Sequence, residues 1–76
     1  MRRRGTITFM YKVETEQETD GRWIAEVAEL PGVLAYGQSR EEAIRKAQAL
    51  SLRVLAERLE HGERLPQVEN VFSIVA

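Results

Sequence analysis

From Ser39 to Gly62 the sequence carries one long helical period. Ala43, Ile44, Ala47, Leu50, Ser51, Val54 and Leu55 recur at intervals of three and four residues, which traces a broad face for burial. Glu42, Lys46, Arg53, Glu57 and Glu60 fall on the opposite side. Ser39 is placed to open this helix. Its hydroxyl can accept from the Glu42 amide while the Glu42 carboxylate reaches back to the Ser39 amide, a capping box. Glu41 and Glu42 also sit at the positive end of the helix dipole. The helix is expected to stop near His61-Gly62, and Leu65-Pro66 prevents its continuation.

Before the helix the pattern alternates in twos. From Thr6 to Glu16, Ile7, Phe9, Tyr11 and Val13 point one way, and Thr8, Met10, Lys12 and Glu14 the other, which predicts a strand. An acidic loop ends in Asp20-Gly21. Arg22 to Ala28 then resumes strand character, with Trp23, Ala25 and Val27 on one face, and the two segments make a hairpin. Leu30-Pro31-Gly32 has the proline and glycine that a type II turn requires at its two central positions. Val33 to Gln38 reads as a third short strand with Gly37 at its end or in a bulge, and Val71 to Val75 as a fourth. The order β-β-β-α-β predicts an α+β two-layer sandwich, a mostly antiparallel sheet with one amphipathic helix on one face. Residues 1–5 are expected to form a basic tail and residues 6–76 a single domain.

Composition narrows the chemistry. A chain of 76 residues with 43% hydrophobic and 30% charged residues is an ordinary small globular domain whose core is marginal. There is no cysteine, so disulfides, thiolate catalysis and cysteine zinc sites drop out. The net charge of −1 gives no global attraction for polyanions. No apolar run suits a membrane span or signal peptide, so no membrane partner and a cytoplasmic location are expected.

The ordered set Trp23, Ala25, Leu30-Pro31-Gly32, Gly37, Ser39 and Glu41-Glu42-Ala43 resembles the HicB antitoxin family, in particular its short single-domain members. The resemblance spans roughly residues 8 to 66. It implies a partial RNase H-like fold and a non-enzymatic role, binding and masking a HicA-type ribonuclease toxin. Full-length members carry a C-terminal helix-turn-helix or ribbon-helix-helix segment. Nothing of that kind is read in these 76 residues, so no direct DNA binding is expected.

The candidate sites are weak as chemistry. Two-metal hydrolysis needs converging carboxylates. Glu14 and Glu16 lie at the end of the first strand, and Glu26 is the acid well inside a strand, a pattern that reads as solvated charge rather than a nuclease. His61 reads as a helix-end cap rather than a metal ligand. Glu14, Glu16, Glu18 and Asp20 lack the spacing of a calcium loop but could attract a basic partner. Arg2-Arg3-Arg4 reads as a solubilising terminus. No catalytic residue, metal site or cofactor is assigned. The remaining signal is apolar. Met10 on the second face of the sheet, and Leu52, Ala56 and Leu59 on the helix flank, exceed what one helix and one sheet face can bury. Either Leu52 and Leu59 contact the loop through Leu65, or these residues form a surface for homo-oligomerisation (a dimer or larger) or for a partner protein.

Overall fold

The computed structural model describes residues 11–69 and 71–75. Three short strands, β1 (Glu14–Gln17), β2 (Trp23–Glu26) and β3 (Leu34–Gly37), form one antiparallel sheet in the order β1-β2-β3. A long helix, α1 (Arg40–Glu60), lies across β3 and β2 and touches β1 least, and a single turn, α2 (Pro66–Glu69), follows it. The α+β two-layer arrangement is the one the sequence predicts.

Register sorts the side chains. Thr15, Ala25 and Ala35 align across the three strands, as do Gln17, Trp23 and Gly37, and this set faces the helix. Glu16, Ile24 and Tyr36 align on the opposite face, as do Glu14, Glu26 and Leu34. The core between the layers is made of Ala25, Val27, Leu30, Val33, Ala43, Ala47, Leu55 and Leu65, with Tyr11, Val13, Trp23, Leu50 and Val54 packed against it. Leu30, Val27 and Val33 are its largest fully enclosed side chains, each stabilising by roughly 1.5–3 kcal/mol. The alanines set a short distance between helix and sheet. Ser51 is buried among them and is satisfied by donating to the Ala47 carbonyl at 2.8 Å.

The helix ends form much as the sequence indicates. The Glu42 amide donates to Ser39 Oγ at 3.1 Å. The Glu42 carboxylate, however, accepts from the amide of Gln38 rather than that of Ser39, so the reciprocal bond of the capping box shifts one residue outward. At the other end the Gly62 amide donates to the Leu59 carbonyl at 3.0 Å and the Glu63 amide to the Arg58 carbonyl at 3.1 Å, a Schellman closure. Leu30-Pro31-Gly32 reverses the chain as expected, with Gly32 at φ 88° and the Val33 amide donating to the Leu30 carbonyl at 3.0 Å.

Two expectations need correction. Of the first strand, expected over Thr6 to Glu16, residues 11–13 are not in a strand and β1 runs from Glu14 to Gln17; residues 6–10 lie outside the described residues. The β1–β2 register would set residues 11–13 opposite 27–29. There residues 28 and 29 already belong to a turn, closed by Leu30 N to Val27 O at 3.0 Å. The Lys12 amide instead approaches Glu29 Oε2 at 3.4 Å. Tyr11 and Val13 still pack on the core, so the alternation correctly indicates their side.

The fourth strand, expected over Val71 to Val75, is not formed. The Val68 amide donates to Leu65 at 2.8 Å and the Val71 amide to Val68 at 2.9 Å, so the chain turns here instead of joining the sheet. Val71, Phe72, Ile74 and Val75 remain 72%, 64%, 91% and 87% exposed. Strand propensity without a neighbouring ladder does not make a strand. The arginine tail and Met10 lie outside the described residues.

Candidate functional site

Among the described residues one helix covers one face of the sheet, and no element covers the other. Its composition divides. Ile24, Leu34 and Tyr36 supply apolar surface, with Leu34 40% and Tyr36 41% exposed. Glu14, Glu16, Glu18 and Glu26 line, with Thr15 and Ile24, a shallow depression of about 280 Å³. Glu14 and Glu26 stand directly opposite each other on β1 and β2. Like charges in that arrangement destabilise a sheet.

The acidic loop does not act as one unit. Asp20 turns inward to the hairpin: Oδ1 accepts from the Arg22 amide at 3.0 Å and Oδ2 from Arg22 Nε at 2.8 Å. The Arg22 amide, followed by its guanidinium, holds the Asp20 carboxyl below the usual aspartate range. The Arg22 guanidinium also lies over the Tyr36 ring, 4.5 Å from its centroid. This clamp joins the hairpin loop to β3 on the open face. Glu14, Glu16 and Glu18 remain on the depression.

The helix flank is a second surface. Leu52 is 67% and Leu59 46% exposed, and Ala56 is exposed between them. Leu65 is part of the core. Leu52 borders an apolar groove of about 390 Å³ between α1 and the lead-in to β1, with Tyr11, Val13, Val27, Ser51 and Leu55. Leu59 borders a different hollow with Val68, Phe72 and Ile74. The two leucines therefore border different hollows, although they lie on one side of the same helix.

His61 caps α1. Its Nδ1 lies 2.8 Å from the Glu57 carbonyl oxygen, a bond that occupies one ring nitrogen at the helix terminus. Among the described residues no three His, Cys, Asp or Glu side chains are placed to hold a metal ion. No helix among them is long and apolar enough to cross a membrane.

Sequence reasoning missed the Arg22–Tyr36 contact and the Glu14–Glu26 juxtaposition. Both depend on which residues the register sets side by side. The only signal available was charge and aromatic character at alternating outward positions. Comparison with protein-family models, with curated proteins and with solved structures finds no match.

Proposed function

We propose that this chain is a HicB-like antitoxin module, a non-catalytic domain that binds and masks a small, basic, HicA-type mRNA-cleaving toxin by direct protein contact. The observation that supports this most is the open sheet face. Glu14, Glu16, Glu18 and Glu26 surround Ile24 there, with Leu34 and Tyr36 beside them. A basic surface laid on it would relieve the Glu14–Glu26 repulsion and cover the apolar residues together. Complementary charge of this kind speeds encounter and fixes orientation. No cofactor is required, and the expected location is the cytoplasm.

The experiment is co-expression with a small basic protein encoded in the neighbouring reading frame. The expected result is that the neighbour alone arrests growth, that this chain relieves the arrest, and that the two purify together in a complex weakened by salt. A neighbour that neither arrests growth nor binds the chain would remove the antitoxin role. Metal-dependent RNA cleavage by the purified chain, abolished by Glu14→Gln or Glu26→Gln, would replace it with a nuclease.

A further inference from the structure

The side of α1 that meets the sheet carries Ala43, Ala47, Ser51 and Leu55. At about 3.6 residues per turn, Ala56 lies half a turn round the helix from Ala47. A second apolar row runs there, made of Ala49, Leu52, Ala56 and Leu59, all of them exposed. Leu52 and Leu59 stand one heptad apart, and so do Ala49 and Ala56. Alternating steps of three and four residues make the narrow seam of two helices packed side by side, not the broad stripe of a helix on a sheet. The charges along this seam are not evenly placed. Arg45 and Arg53 come before Glu57 and Glu60, while Lys46 beside them is paired with Glu42 at 3.8 Å. The seam is thus basic towards its N-terminal end and acidic towards its C-terminal end.

We propose that two copies of the chain pair through this seam, with their α1 helices antiparallel. The second copy is the occupant because the row is complementary to itself when reversed. With Leu52 of one copy set against Ala56 of the other, the same register sets Ala49 against Leu59. Each leucine then faces an alanine, and a large side chain against a small one lets two helices approach closely without leaving voids. The charges agree with this direction. Arg45 of one copy comes to the C-terminal end of the other helix, where a cation is favoured, and Arg53 comes alongside Glu57 and Glu60 of the other copy. A parallel pairing would set leucine on leucine and like charges level with one another. The two-fold arrangement uses the same patch on both copies and closes on itself. The sheet already holds α1 as a helix, so pairing does not have to bear the cost of forming one. The seam faces away from the sheet and leaves its acidic face free, so the dimer stands or falls separately from the antitoxin role.

The absence of cysteine permits a direct test. Ala49 and Leu59 are both exposed in the single chain, so Ala49→Cys and Leu59→Cys leave its core intact. The two positions are about 15 Å apart along one helix, too far for a disulfide, and only the antiparallel register brings one to the other. The unsubstituted chain is expected to sediment as a dimer. The two single-cysteine variants, mixed and oxidised, are expected to give a mixed disulfide dimer in preference to either symmetric one. Leu52→Asp is expected to weaken dimerisation at least about tenfold without changing the far-ultraviolet circular dichroism. Arg53→Glu is expected to weaken it too, and the double variant Arg53→Glu/Glu60→Arg to restore it. A chain that stays monomeric across the concentration series, symmetric disulfides in place of the mixed one, a dimer that Leu52→Asp leaves intact, or a double variant no tighter than Arg53→Glu would each overturn the proposal.

Discussion

A methyl group built on Gly37 would lie 2.5 Å from the backbone nitrogen of Ala43 and 3.0 Å from its Cα. The end of β3 and the first turn of α1 are therefore in backbone contact, with no room for a side chain between them. Gly37 is buried, and its φ is not in the left-handed region, so close approach rather than turn geometry demands glycine.

Gly37→Ala is expected to destabilise the domain by about 1–3 kcal/mol, the range for overpacking a closely fitted interior. In a chain this short each kcal/mol moves the melting temperature by about 4–8 °C. Thermal unfolding followed by circular dichroism checks this, and a variant as stable as the parent would show that α1 can retreat from the sheet at little cost.

Ser39→Ala removes the acceptor for the Glu42 amide and is expected to cost about 1 kcal/mol. Urea unfolding measures the loss, and the slope of the transition should stay unchanged because the surface exposed on unfolding is the same.

The acid side of the stability profile should report Glu42. The Gln38 amide, and after it the Lys46 ammonium at 3.8 Å, hold this carboxyl below the usual glutamate range. A lowered folded value means that the stabilisation is fully present above the ordinary glutamate range and is lost as pH falls through the folded value. Glu42→Gln is therefore expected to be less stable than the parent at neutral pH. The gap should narrow through the acid range and vanish below the folded value. A gap independent of pH would assign the effect to something other than the carboxylate charge.

Glu26→Lys should act in opposite directions on stability and on partner binding. It converts the Glu14–Glu26 pair into opposite charges and is expected to raise stability by roughly 0.2–1 kcal/mol. It should also weaken binding of a basic partner and reduce the salt sensitivity of that binding. Calorimetric unfolding and a titration at two ionic strengths separate the two effects. A variant no more stable than the parent would show that repulsion across β1 and β2 is already fully screened.

The Arg22–Tyr36 contact is tested by a double-mutant cycle. Arg22→Ala and Tyr36→Leu are expected to couple by about 0.5–1 kcal/mol, the range for an exposed cation over an aromatic ring. Additive effects would mean that Arg22 serves the hairpin only through Asp20.

The local chemistry of this chain was legible in the sequence. Ser39 and Glu42 mark the start of α1, Gly62 marks its end, Leu30-Pro31-Gly32 marks the reversal, and Trp23 and Ala25 mark the inner face of β2, which Val27 continues past its end. Each depends on residues within a few positions of one another, and backbone sterics and short-range hydrogen bonds settle them. What the alternation could not settle was where the ladders stop. Residues 11–13 and 71–75 have the side-chain pattern of strands. A strand also needs a partner backbone, and the turn at 27–30 withholds it from the first while the turn at Val68–Val71 carries the second away. The same holds for the candidate surfaces. Leu52 and Leu59 appear as one stripe in the helical period, but packing assigns them to separate hollows. The sequence by itself determined the helix with its ends, the Leu30-Pro31-Gly32 reversal and the inward faces, because those follow from local geometry and the period of burial. Only the tertiary structure decided strand length, the opposition of Glu14 to Glu26 and the contact of Gly37 with Ala43, because each depends on groups distant in sequence meeting in space.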